Sequence, residues 1–463
     1  MSKERIKSFL LSVLVMMNFG LGAKLLSDKK LWPYGYNFFL SLQNSDIVRA
    51  ITNTTDKKTI RMHLCMPERI TVNTGDQTSR IAVNSDDEIF SEIFSAANQM
   101  ISDALSSEDI RYSQKKEWLS ALNGKSVCFC YPTAYDTKLL GEFFGVDADA
   151  MCEYVKALSV IVVSEDGAVF FEDFASGSFY RTETKTDSRK LADIINKTRN
   201  LYKYNNEIIN YSVDLKFDEV FGTQKAVLSP GVLIYSTPAK AAYLSAYAPL
   251  AAQDAERTGV MIDKILSIFK INSGNVRRYT EINGTVVFVE NNGILKINPA
   301  GLLSYQSTDS RGFYLGRSYS ETVGALAELA EKVNNACMSE NELYISKPLV
   351  RSEENVTFDY RVGGIPVMMD FAGQKNAVRA EIKNGDLKSY TQVLRNYILG
   401  QEKYDTPEYI EALDNAIEYY SRDMNNIEIQ NMYLAYTDSG EQTLAADWKA
   451  SVKSIEISEE EAK

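Results

Sequence analysis

The chain has 463 residues, 45% of them hydrophobic and 11% aromatic, and a formal net charge of −12. Its length suits about three domains of roughly 150 residues, and its apolar content excludes wholesale disorder. With no Lys/Arg block after residue 30, the acidic balance argues against nucleic acid, anionic lipid headgroups or anionic wall polymer as the main ligand.

The first predicted element is the one long apolar run, residues 6–26, IKSFLLSVLVMMNFGLGAKLL, behind Lys3, Arg5 and Lys7. Twenty-one helical residues span about 31 Å, close to the thickness of a bilayer core. Gly20-Leu21-Gly22-Ala23 would also suit a cleavable leader. Leu25 and Leu26 continue the apolar pattern past Lys24, which favours an uncleaved anchor, and no cysteine lies nearby to carry a lipid. Basic residues flank the run on both sides (Lys24, Lys29 and Lys30 follow it), so charge fixes orientation weakly. The expectation is a cytoplasmic N-terminus and an outer body. Leu31-Trp32-Pro33-Tyr34-Gly35-Tyr36 then reads equally as an interfacial aromatic stretch or as a domain's first packed turn.

Ser85-Asp86-Asp87-Glu88 has the form of a capping box, predicting a helix to about Leu105 with Ile89, Ile93 and Met100 inward. Strand patterns follow at LSVIVVS (158–164), AVFFEDF (168–174) and SFYRTE (178–183), with Asp166-Gly167 as a hairpin turn. A helix over 187–202 and a linker at 204–206 close this unit. The cadence returns with a helix over 257–269 and strands at 275–282, 284–290, 294–297 and 302–306. It returns again after Ser318, which with Glu321 forms a second capping box; Val323, Leu326, Ala327, Ala330 and Val333 share one helical face. Strands 356–362, 365–371 and 377–383 follow, turning at Gly363-Gly364 and Asn384-Gly385. Thr406-Pro407-Glu408 opens a further helix that buries Tyr409, Leu413, Ile417 and Tyr420. Two last strands, about 427–436 and 444–457, precede an acidic, disordered end.

The fold class is therefore α+β: an N-terminal transmembrane helix, then three domains of antiparallel β-meander with helices packed on one face. The expected divisions are 1–30 for the cytoplasmic tip and anchor, 31–204, 205–310 and 311–457 for the domains, and 458–463 for the tail.

Motifs for chemistry are sparse. The one histidine, His63, sits among apolar neighbours and suits a packed strand residue better than a general base. Gly124-Lys125-Ser126 resembles the tail of a phosphate loop, but Leu119 stands where the first glycine belongs and a strand pattern follows. Asp147 and Asp149 lack the further ligands of a calcium loop. The trio Asp86-Asp87-Glu88 is explained by helix capping. Cys65, Cys128, Cys130, Cys152 and Cys337 form no CxxC; Cys128 and Cys130 should point to one face of a strand. No cofactor or metal is expected. The 27 tyrosines mostly suit strand and core packing, and an outward aromatic patch for a protein partner stays open. Asn18, with Gly20 and Gly22 near it, is the candidate partner-binding element: a polar amide in hydrocarbon wants a hydrogen-bond partner, and glycines let another helix approach. A signal peptide's tolerated polar residue, or a solitary helix with Asn18 near the interface, is the other reading.

Several stretches together carry a resemblance. KERIKSFLLSVLVMMNF (3–19) with residues 29–39, then 231–236, 265–269 with 275–278, 279–289 leading into 295–305, Gly364-Ile365-Pro366-Val367, 380–390 and Val393-Leu394-Arg395 resemble the YycH family of Gram-positive bacteria in that order. The third domain is also similar in kind to the companion protein YycI. The family's tyrosine–arginine–proline element stands here as Tyr390-Thr391-Gln392-Val393, and the helix and strands beyond residue 404 are additional. Whether the chain behaves as YycH, as YycI or as a fused equivalent stays open. The resemblance implies a non-enzymatic, single-pass regulator outside the cell membrane. Its partner would be a WalK (YycG)-like sensor histidine kinase controlling cell-wall homeostasis, with a YycI-like companion as a further candidate. The alternative is a secreted or anchored binding module for lipid, glycan or peptide; a cell-envelope hydrolase is disfavoured for want of an acid–base or metal constellation.

Overall fold

The computed structural model describes residues 64–75, 80–85, 87–203, 209–215, 226–251, 255–274, 276–291, 293–308, 313–348, 355–422 and 426–454. The anchor with Asn18, Gly20 and Gly22, the aromatic stretch 31–36, His63, Asp86, the linker 204–206 and the acidic end lie outside them. No helix among the described residues is long and apolar enough to cross a membrane.

Strands buried along nearly their whole length build the first sheet. Its elements are β1 (Arg69–Thr74), β2 (Ile81–Asn84), α1 (Phe90–Leu105), β3 (Arg111–Ser113), α2 (Lys115–Asn123), β4 (Lys125–Asp136), α3 (Thr137–Phe144), α4 (Asp149–Tyr154), β5 (Ala157–Ser164), β6 (Ala168–Glu172), β7 (Phe179–Glu183) and α5 (Arg189–Leu201). The antiparallel order is β2-β1-β4-β5-β6-β7-β3. Val72, Val127, Val163 and Val169 stand in register across four strands, fully buried under α1, α3 and α5. The adjacent row Thr71, Cys128, Val162 and Phe170 points the other way, where Trp118 and Leu122 of α2 cover it. Helices thus cover both faces of this sheet rather than the one face expected. Burying two such layers is what a strand apolar on alternate sides requires.

Next come β8 (Ile209–Tyr211), β9 (Ala226–Leu228), β10 (Leu233–Tyr235), β11 (Lys240–Tyr247), α6 (Ala255–Ile268), β12 (Arg277–Thr280), β13 (Val286–Glu290), β14 (Gly293–Asn298), β15 (Leu302–Ser307) and β16 (Phe313–Tyr314). The last elements are α7 (Tyr319–Ala336), β17 (Glu342–Tyr344), β18 (Asn355–Val362), β19 (Ile365–Met369), β20 (Val378–Lys383), β21 (Asp386–Val393), β22 (Asn396–Asp405), α8 (Tyr409–Tyr420), β23 (Ile427–Asp438), β24 (Thr443–Leu444) and β25 (Ala446–Ser454). A large sheet runs β12-β13-β14-β15-β21-β20-β18-β19-β23-β25, with β16, β17 and β9 paired to its side. It crosses residue 310, where the sequence places a domain division, because β15 pairs antiparallel with β21. Tyr305 and Tyr390 face each other there, and Phe269 packs against both rings at 5.0 and 5.6 Å. Pairing is mostly antiparallel, as expected; β23 runs parallel to β19 and to β9.

The Ser318–Glu321 capping box forms: Ser318 Oγ accepts from the Glu321 backbone N–H at 3.2 Å, and the Glu321 carboxylate accepts in return. The Ser85–Glu88 box does not. The Asp87 carboxylate accepts from the Asn84 N–H at 2.7 Å instead, and α1 begins at Phe90 with no side-chain cap. Behind α7 sits a buried polar relay. Tyr390 Oη donates to Gln392 Oε1 (2.5 Å), whose amide donates to Asn334 Oδ1 (2.8 Å); Tyr360 Oη donates to the Val393 carbonyl (2.8 Å). Each member finds a partner, so the relay ties helix to sheet without leaving polar atoms stranded.

Candidate interaction surface

A third, small sheet has the order β22-β11-β24. Along β11, Leu244 and Ala246 point inward, while Tyr243, Ser245 and Tyr247 point out. Ile398 lies opposite Ser245, so the outward rings of Tyr243 and Tyr247 flank it diagonally. Ile398 is 56% and Tyr243 48% exposed, while Leu399, opposite Leu244, turns to the other face. Tyr243 stacks on Tyr404 of β22 with ring centroids 4.4 Å apart. The result is an apolar, aromatic band on the outer face. Beside it, β22 pairs only with β11 among the described residues, so its far side is a sheet edge.

The band is held from below by a buried ion pair. Arg395 grips Asp438 with two N–H donors at 2.8 and 3.1 Å and donates to the Glu441 carbonyl at 2.5 Å. Tyr397, just ahead of Ile398, donates its hydroxyl to Asp438 at 2.6 Å. Burial and then the Asp438 charge push the Tyr397 phenol well up, which keeps it a donor. Tyr436 adds a hydrogen bond to the Ala242 carbonyl at 2.7 Å. The outward residues therefore stand on a rigid base.

A second charged seam joins the first sheet to β23 and β25. Arg69 donates to Asn431 Oδ1 at 3.4 Å, and Lys453 Nζ donates to the Phe174 carbonyl at 3.2 Å. Glu172 of β6 faces Glu428, which pairs in register with Lys453. Burial first, and repulsion from Glu428 second, push the Glu172 carboxyl up to about 7.

Among the described residues, no three His, Cys, Asp or Glu side chains converge to hold a metal ion. Gly124-Lys125-Ser126 leads into β4, so no helix N-terminus is available to a phosphate. Lys125 instead pairs with Glu165 at 3.3 Å, and Ser126 Oγ donates to the Ala121 carbonyl at 2.7 Å. Asp147 accepts from the Asp149 N–H at 2.9 Å, and Asp149 pairs with Lys138. A cleft of about 400 Å³ at the start of α7 is lined by Arg317 and Glu321; the capping box already occupies that helix end. Among the described residues, most tyrosines are buried or half-buried, with Tyr112, Tyr154, Tyr243, Tyr247, Tyr279, Tyr314 and Tyr419 the exposed ones. The sequence left an aromatic patch open without locating it. Tyr397-Ile398-Leu399 carried a signal, since consecutive apolar residues in a strand must present one to each face.

The architecture has a known counterpart. The crystal structure of YycH from Bacillus subtilis superposes with a TM-score of 0.55, covering 84% of this chain and 94% of that one, at 12% identity. The described body is similar in fold to YycH. An uncharacterised protein from Eubacterium rectale aligns at a TM-score of 0.32 and 14% identity, over 51% of this chain and 84% of that one. No family model matches the sequence, and no curated protein does.

Proposed function

We propose that this chain is a non-enzymatic, single-pass membrane protein that regulates a WalK (YycG)-like sensor histidine kinase from outside the cell. The YycH-like fold over 84% of the chain carries this reading. The hydrocarbon-length run at residues 6–26 supports it, with Asn18, Gly20 and Gly22 as the contact to the kinase's membrane helices. The band of Tyr243, Tyr247 and Ile398 beside an open strand edge supplies an outer contact of the kind partner proteins use. A regulator of this kind acts by binding one kinase state better than the other, and its effect is bounded by that difference in affinity. The three domains of the sequence reading are then successive parts of the outer body, and a YycI-like companion would share the same surface of the kinase.

Photoreactive residues placed at position 18 and at position 398 test both contacts in membranes that hold the kinase. The expected result is a kinase adduct at each. Mature protein that starts near Ala23, floats free of the membrane and yields no adduct would overturn the proposal.

A further inference from the structure

Cys128 and Cys130 sit two residues apart on β4, both turned toward the α2 side, with Sγ atoms 3.8 Å apart. Both are unbonded to other sulfurs. β4 is paired on both flanks, Thr71 and Arg69 on β1 facing Cys128 and Cys130, and Val162 and Val160 on β5 facing them from the other side. That double pairing holds the backbone extended, with Cα atoms roughly 6.4–6.8 Å apart. Such a span is the upper limit for a disulfide, so the sheet disfavours closing one between these two sulfurs. A bridging ion asks less. With metal–sulfur bonds of about 2.3 Å, two sulfurs up to roughly 4.6 Å apart share one ion.

Charge completes the case. Arg69 is buried, and its Nη2 lies 3.7 Å from Cys130 Sγ. Its Nε has no hydrogen-bond partner among the described residues. Cys130 Sγ thus has the Cys128 sulfur at 3.8 Å and the buried Arg69 guanidinium at 3.7 Å, a cation placed against the sulfur pair. Glu68 is also near, and Arg361 offsets it. Two thiolates, one monovalent cation and the Arg69 guanidinium sum to zero. Among the described residues no group of three His, Cys, Asp or Glu side chains is placed to hold a harder, higher-coordinate ion.

We propose that Cys128 and Cys130 form a two-thiolate site for one soft, thiophilic monovalent cation of the copper(I) class, balanced by Arg69. Soft thiolate ligands select such ions. On binding, the metal forms two metal–sulfur bonds and the two thiol protons leave to solvent; no electron is transferred.

The test titrates full-length, reduced protein with copper(I) under anaerobic conditions against the chelator bicinchoninate. A variant with Cys65→Ser, Cys152→Ser and Cys337→Ser, which keeps only the pair, should take up one ion per chain. Cys128→Ser and Cys130→Ser, each checked for native circular dichroism, should lose that uptake. Arg69→Met should weaken it by about tenfold, the equivalent of one pKa unit of lost charge balance. The proposal is overturned if the pair-only variant competes no better than the chelator alone. It is equally overturned if a single serine variant binds as wild type, or if peptide mass shows a native Cys128–Cys130 disulfide. Because the readout is metal uptake, its failure leaves the kinase contact standing, and failure of the photocross-link leaves this site standing.

Discussion

The core behind α7 and the outer face of β11 and β22 invert the usual placement of residues. Behind α7, Tyr360, Tyr390, Gln392 and Asn334 are polar groups in the interior, each answered by a partner. On the small sheet, Tyr243, Tyr247 and Ile398 leave about half of their surface in water among the described residues. Interior polarity that is fully paired fixes one arrangement of helix on sheet. Exterior apolarity adds nothing to the fold of the chain alone and is what a protein partner covers. The contrast separates what holds this protein together from what it offers outward.

The largest expected effect comes from breaking the rigid base. Arg395→Met leaves Asp438 buried without its cation, which should cost about 3–5 kcal/mol of unfolding free energy, read as a lower urea midpoint. An unchanged midpoint would mean the ion pair is not what supports the band. The seam gives an intermediate effect. Glu172 has a folded pKa raised to about 7, so between about 4.5 and 7 the folded state binds more protons than the unfolded one, and stability must fall as pH rises through that window. Glu172→Gln should therefore gain on the order of 2 kcal/mol over wild type above pH 7 and nothing below about pH 4.5. Thermal melts at several pH values check the slope; equal gain at both extremes would contradict the carboxylate assignment. The smallest stability effect is expected on the surface. Tyr243→Ser with Tyr247→Ser should change stability by under about 1 kcal/mol while abolishing the cross-link from the photoreactive residue at position 398. Retained cross-linking would remove the band from the interaction surface.

Local signals in the sequence were well founded where one turn settles the outcome. Asn384 and Gly385 adopt φ of 53° and 79°, the left-handed pair that an Asn-Gly hairpin turn needs. The Ser318–Glu321 box and the apolar face of α7 likewise need only neighbours along the chain. Ser85 shows the limit, because two nearby carboxylates competed for one helix start and Asp87 turned back to Asn84. The parallel pairings of β23 and the cover of α2 on a second sheet face depend on distant partners, which no local pattern encodes. The candidate surface was half legible. Tyrosine abundance announced it, but which rings point outward is decided by the inward anchoring of Tyr397 on Asp438.

The pairing of β15 with β21 governs how this molecule can be made. A ribosome delivers Leu302–Ser307 long before Asp386–Val393, and until the later strand emerges the edge of β15 away from β14 is unpaired. That open edge is the segment of the growing polypeptide most exposed to pairing with another strand over that interval. A protease cut near residue 310 would likewise leave both pieces clasped rather than release a fragment.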